Sequence, residues 1–194
     1  MEKSVQFSNR QSAILLIEFQ KTYTEKALFH RLIKKQFESR KVLENTLNLL
    51  SAARKKDITI IQAPLILHKT DKHKSPHLIF ARLLKAFKKG TWKVEFPDGI
   101  HYATDIVIRG RSSVDACAGS DLLEKLNENN IKKLYVCGFI TNGCVKITME
   151  SLIDKGFECI MISDCTATGN EKSQRKTEQL FQNITSKQLI DVIQ

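Results

Sequence analysis

The chain is short of the features that mark several protein classes. Its 194 residues include 3 Pro and 8 Gly, too few for a collagen-like or low-complexity chain. No apolar run approaches the ~18 residues that span a bilayer. The opening residues, MEKSVQFSNR, lack the long apolar core of a signal peptide. Cysteine is sparse: Cys117, Cys137, Cys144, Cys159 and Cys165 are odd in number and form no CxxC pair. That pattern argues against a disulfide framework and against a zinc site. The expectation is a soluble cytoplasmic protein with reduced thiols, in which residues 1–194 form one domain behind a flexible tail over 1–11. A chain of this length buries well over half of its unfolded surface without crosslinks.

Positive charge, in contrast, is abundant. Lys and Arg number 31 against 21 Asp and Glu, a formal net charge of +10. Such a balance concentrates anions and invites nonspecific contact with nucleic acid. No recognised nucleic-acid module accompanies it, however. The excess lies over 34–56 and 69–93, where Leu, Ile and Phe recur among the charges at helical spacing. That reads as the solvated face of amphipathic helices, and nucleic acid is not an expected partner.

The hydrophobic pattern alternates between two periods. Strands are expected over 12–17 (SAILLI), 58–63 (ITIIQA), 105–108 (DIVI), 133–137 (KLYVC) and 157–162 (FECIMI), with a short sixth at 183–185. A polar stretch follows the first strand. Helices are expected over 40–56, within 78–87, over 121–129, 144–155 and 171–182, and the chain closes with 187–193. Ser120 or Asp121 caps the third of these, with Glu124 in range of a capping box. Gly156 closes the fourth. The fold class is α/β: a Rossmann-like, open, mostly parallel sheet with helices on both faces. Functional groups in such folds gather beyond the carboxyl ends of strands. That rule singles out Glu18, Arg109 with Arg111, the segment 138–144, and Asp164.

Cys144 sits where a glycine-containing turn enters a helix. Unpaired N–H groups and the helix dipole would stabilise a thiolate there, and could hold an oxyanion. A buried packing cysteine is the plain alternative. Glu18 ends an apolar strand, so burial would raise its pKa toward that of a useful general base; the alternative is a structural ion pair with an arginine. Arg109 and Arg111 are two residues apart, and which of them enters a pocket is open at this point.

The segments Leu16-Ile17-Glu18-Phe19-Gln20, Phe87-Lys88-Lys89-Gly90-Thr91-Trp92, Gly138-Phe139-Ile140-Thr141-Asn142-Gly143-Cys144-Val145, Lys155-Gly156-Phe157 and Ser163-Asp164-Cys165-Thr166-Ala167-Thr168 resemble the isochorismatase-like cysteine hydrolases. The family includes isochorismatases, nicotinamidases and N-carbamoylsarcosine amidases. The resemblance implies a parallel six-stranded sheet, Cys144 as nucleophile, and Glu18 at the acid position, usually Asp. It puts Arg111 where Lys is usual. It implies an oxyanion hole from the N–H groups of Ile140 and Cys144, and a cis peptide at Phe139–Ile140. Phe139, Thr141 and Trp92 are the expected substrate contacts, with an ordinary core role as the plainer reading of Trp92.

Arg111 stays protonated at any working pH. It would pair bidentately with Glu18 and so occupy the oxygens that should take the thiol proton. The stretch HKTDKHKSPH holds His68, Asp71, His73 and His77 at spacings unlike the nicotinamidase metal motif, so a solvated loop without metal is expected, and no cofactor. The implied activity is cleavage of a small-molecule amide, ureido or similar C–N bond through a cysteine acyl-enzyme. The alternatives are vinyl ether hydrolysis with a dispensable cysteine, and a catalytically impaired relative that binds a ligand or protein because the usual Lys is Arg111. Family members are commonly oligomers, so a homo-oligomer is expected.

Overall fold

The computed structural model describes residues 11–68 and 76–193. The order along the chain is β1 (Ser12–Ile17), α1 (Lys21–Thr24), α2 (Leu28–Ser39), α3 (Val42–Lys55), β2 (Thr59–Ala63), α4 (Pro76–Leu83) and β3 (Ile106–Val107). There follow α5 (Leu122–Glu128), β4 (Lys133–Phe139), α6 (Lys146–Asp154), β5 (Glu158–Ala167), α7 (Glu171–Glu178), β6 (Asn183–Ile184) and α8 (Ser186–Ile193). The six strands form one sheet in the order β3-β2-β1-β4-β5-β6, every pair parallel.

All six residues of β1 are buried, because the strand is covered on both faces. Ile14 and Leu16 point to one side, where α2, α3, α4 and α8 place Ile33, Leu49, Leu50, Leu78 and Leu189. Ala13, Leu15 and Ile17 point to the other, against Leu122 and Leu126 of α5 and Met149 and Leu152 of α6. This period-two alternation lets one apolar strand serve both layers. Strand order reverses between β1 and β4, and the crevice at such a switch point is where open α/β sheets bind ligands.

Several sequence expectations shift. The stretch after β1 read only as polar contains α2, whose Ile33, Gln36 and Phe37 are buried while Leu28 and Leu32 stay exposed. The strand expected to stop at Ser163-Asp164 continues to Ala167. The β4–β5 register shifts between Val136 and Gly138, so that Val136 pairs Met161 but Gly138 pairs Thr166. Asp164, one of the four points singled out above, caps α8: its carboxylate accepts from the Ser186 N–H and Oγ, both at 2.7 Å. No capping box forms on α5. Asp121 accepts instead from the Arg109 N–H at 2.7 Å, and Ser120 Oγ accepts from the Leu122 N–H.

Among the described residues no helix is long and apolar enough to cross a membrane. Residues 1–10 of the expected tail, and Asp71 and His73 of the histidine stretch, lie outside the described residues.

Candidate active site

Four strand ends build the site. β1 ends at Glu18, which takes a left-handed backbone, φ +52°; such strain in a non-glycine residue costs on the order of 1–3 kcal/mol and collects at functional sites. Its N–H donates to the Ala63 carbonyl and its carbonyl accepts from the Gln20 N–H, so the side chain is fully buried at the sheet edge. Gln20 fixes the loop above: its amide donates to the carbonyls of Leu65 and Val94, and its Oε1 accepts from the Leu65 N–H. Opposite, β4 approaches β1 so closely at Gly138 (φ +118°) that a Cβ there would lie 1.9 Å from the Ile17 carbonyl oxygen.

β3 is two residues long, and Asp105 anchors its entry by accepting from Arg54 and Gln62. The chain beyond it resolves the choice between the two arginines. Arg109 is exposed, whereas Arg111 is 3 % exposed. The Arg111 guanidinium donates to the carbonyls of Ser113 (3.1 Å), Ala63 (2.7 Å) and Val114 (3.0 Å), and to Glu18 Oε1 at 2.5 Å.

The expected bidentate pairing does not form. Three backbone carbonyls fix the guanidinium so that only one contact reaches the carboxylate, and Glu18 Oε2 is left buried with no hydrogen-bond partner. A buried unpartnered carboxylate oxygen is costly and calls for an explanation.

Cys144 lies beside this pair. From Thr141 to Val145 the backbone makes a wide turn broken at Gly143, and α6 begins immediately after. The Phe139–Ile140 peptide is cis. The Ile140 carbonyl accepts from the N–H groups of Gly143 and Val145, while its own N–H makes no backbone hydrogen bond among the described residues.

The sequence left a stabilised thiolate and a buried packing cysteine both open, and Cys144 is buried. Burial pushes the Cys144 thiol well above its ordinary value, and the Glu18 charge pushes it further, with Arg111 acting in the opposite direction. The thiol is therefore neutral at rest, and a base must take its proton as it reacts.

Of the three expected substrate contacts, two are buried and the third faces a different cleft. Phe139 is fully buried, its ring 4.8 Å from Phe19 and 5.1 Å from Tyr23. Thr141 is fully buried too: its hydroxyl donates to Gln174 Oε1 and lies 2.8 Å from Thr166 Oγ1, so its hydrogen bonds are internal. Trp92 is 43 % exposed, which rules out the plain core role. It lines a separate cleft with Thr24, His30 and Phe37, and that lining includes none of Glu18, Arg111 or Cys144.

Sequence reasoning missed Tyr23. It is 3 % exposed, and its ring stacks on Phe139 at 21°. Burial pushes its phenol up, and the Glu18 charge pushes it further. Only its place five residues beyond the acid could have pointed to it. Among the described residues no three His, Cys, Asp or Glu are grouped as metal ligands.

Comparison with known proteins gives a consistent result. A family model described as the isochorismatase domain matches residues 12–188. The isochorismatase family protein YddQ of Bacillus subtilis is 25 % identical over 92 residues, covering 47 % of this chain and 51 % of that protein, so the match spans about half of that relative's length. YrdC of Bacillus subtilis, from the same family, is 26 % identical over 165 residues, covering 85 % of this chain and 78 % of its own.

Among solved structures, a cysteine hydrolase from Pseudomonas syringae superposes with a TM-score of 0.84 at 17 % identity, covering 100 % of this chain and 98 % of that one. N-carbamoylsarcosine amidase from Thermoplasma acidophilum gives 0.73 at 15 % identity, covering 91 % and 96 %. At these identities the two structures establish the shared fold.

Proposed function

Because the chain belongs to the isochorismatase family, a family of hydrolases, we propose that it is a cysteine hydrolase cleaving a C–N bond of a small amide or ureido compound. The observation that carries this reading is the unpartnered Oε2 of Glu18 beside the neutral Cys144 thiol. Arg111 holds the other oxygen, so the carboxylate is fixed in place with one acceptor open.

In this mechanism Glu18 Oε2 takes the Sγ proton as sulfur attacks the substrate carbonyl carbon. The C–S bond forms, and the carbonyl electron pair moves to oxygen, which the N–H groups of Ile140 and Cys144 receive. The tetrahedral intermediate collapses as Glu18 returns the proton to the leaving nitrogen and the C–N bond breaks. A thioester on Cys144 remains. Water attacks it, Glu18 removes the water proton, and the acid product leaves as the thiol is restored. Arg111 stabilises the carboxylate throughout and exchanges no proton. The structural likeness to an N-carbamoylsarcosine amidase is compatible with C–N chemistry and supports the choice of substrates to screen.

Screening a panel of amides and ureido acids for ammonia release tests this reading. The expected result is turnover by the wild-type protein that Cys144→Ala abolishes. Ammonia release undiminished in Cys144→Ala would overturn the thioester route, whereas hydrolysis of a vinyl ether substrate by both proteins, without C–N turnover, would favour the family's vinyl ether chemistry, in which the thiol is dispensable. No turnover on any C–N substrate, with the fold intact, would favour an impaired relative that only binds.

A further inference from the structure

Immediately beside Arg111 a cleft of about 610 Å³ opens over the carboxyl ends of β2 and β3. Among the described residues its charged lining is of one sign, Lys89, Arg109 and Arg111, with His68 beside them and apolar Pro64 and Val107 opposite in character. Arg111 is neutralised by Glu18. Lys89 and Arg109 are exposed, and neither side chain makes an ion pair or hydrogen bond among the described residues.

Both cations stand on fixed backbone. The Arg109 N–H donates to Asp121 Oδ1, and the Arg109 carbonyl accepts from the Asp121 N–H. The Lys89 N–H donates to the Leu67 carbonyl, beside a parallel bridge between Leu67 and Lys88. Two uncompensated cations thus line one concave site. A second, smaller cleft of about 210 Å³ shares His68 and adds Arg82, Lys85 and Lys88, so the basic lining continues away from the thiol.

A cleft of one charge sign focuses its field and concentrates ligands of the opposite sign. We infer that this cleft binds an anionic group of the substrate, a carboxylate or phosphate, through Lys89 and Arg109, and guides it toward Cys144. The inference rests on the hydrolase reading and adds the substrate's charge to it. A surface that is merely basic would attract anions everywhere; this site acts locally, so removing equal charge elsewhere leaves it intact.

The test compares Lys89→Ala/Arg109→Ala with a charge-matched control, Lys34→Ala/Lys35→Ala, whose altered side chains are exposed on α2. Cys144 alkylation by anionic iodoacetate and by neutral iodoacetamide is followed by mass spectrometry at the same pH for all proteins, so that the thiolate fraction cancels in the ratio of the two rates. The iodoacetate-to-iodoacetamide rate ratio is expected to fall about threefold or more in the cleft variant and to hold in the control. Inorganic pyrophosphate is expected to raise Tm in the wild type and the control, and to leave the cleft variant unmoved. Equal ratios in all three proteins, or a pyrophosphate effect that survives in the cleft variant, would overturn the inference. A charge-dependent ratio at a Cys144 that forms no thioester with any C–N substrate would sink the hydrolase reading and leave the cleft standing.

Discussion

The open oxygen of Glu18 and the closed environment of Cys144 define each other. A thiol that is neutral in its resting state needs a base at contact distance, and a carboxylate held through one oxygen offers the other. Glu18→Gln keeps an acceptor for Arg111 but removes the base, so turnover is expected to fall ~10²- to 10⁴-fold; steady-state rates on any substrate found would check this. Arg111→Lys keeps the charge but cannot reach all three carbonyls of Ala63, Ser113 and Val114 together with Glu18. Denaturant unfolding should show a loss of about 1–3 kcal/mol from the carbonyls left unpaired. Tyr23 offers a cleaner separation of packing from chemistry. Tyr23→Phe preserves the stack on Phe139 and is expected to hold Tm while slowing turnover. Tyr23→Ala should lose about 3–5 kcal/mol of stability through the cavity it opens.

At the level of elements, the geometry of β1 and β4 depends on Gly138. Its left-handed backbone and the 1.9 Å approach of a Cβ to the Ile17 carbonyl exclude any side chain. Gly138→Ala is expected to cost about 4 kcal/mol or more, read as a drop in the unfolding midpoint or loss of soluble protein. The buried strands were legible because apolar runs such as SAILLI and FECIMI have few other uses. The extension of β5 past Asp164 was not: Ser163 and Asp164 read locally as a stop, and only the shifted β4–β5 register and the Thr166 hydrogen bond to the Gly138 carbonyl carry the strand onward. Helix α2 was obscured by its exposed Leu28 and Leu32, which blur the apolar stripe. Asp121 looked like a cap by position, but its carboxylate goes to a loop twelve residues upstream.

Across the whole molecule all five cysteines are buried, and burial raises Cys117 to about 11 and Cys159 to about 12. The native state therefore keeps thiol protons that the unfolded chain, with thiols near ~8.5, gives up. This contribution to stability is complete below ~8.5 and is lost as pH rises toward the native values. Under reducing conditions Tm should fall from pH ~8.5 to ~10.5, and Cys159→Ala should lose less of its Tm over that interval.

The same scale shows why the site was only partly readable. Position beyond strand ends singled out Glu18, Cys144 and the pair Arg109 and Arg111, and the family resemblance chose Arg111 between the two. The count of carbonyls around Arg111, the closed burial of Phe139 and Thr141, and the presence of Tyr23 arise from contacts between segments far apart in sequence.

The most direct measurement is peptide mapping of the protein quenched in acid during turnover of an amide or ureido substrate. A thioester adduct on Cys144, absent from Cys144→Ala and depleted in Glu18→Gln, is the result this account predicts. Turnover without any adduct, undiminished when Cys144 is replaced by Ala, would contradict it.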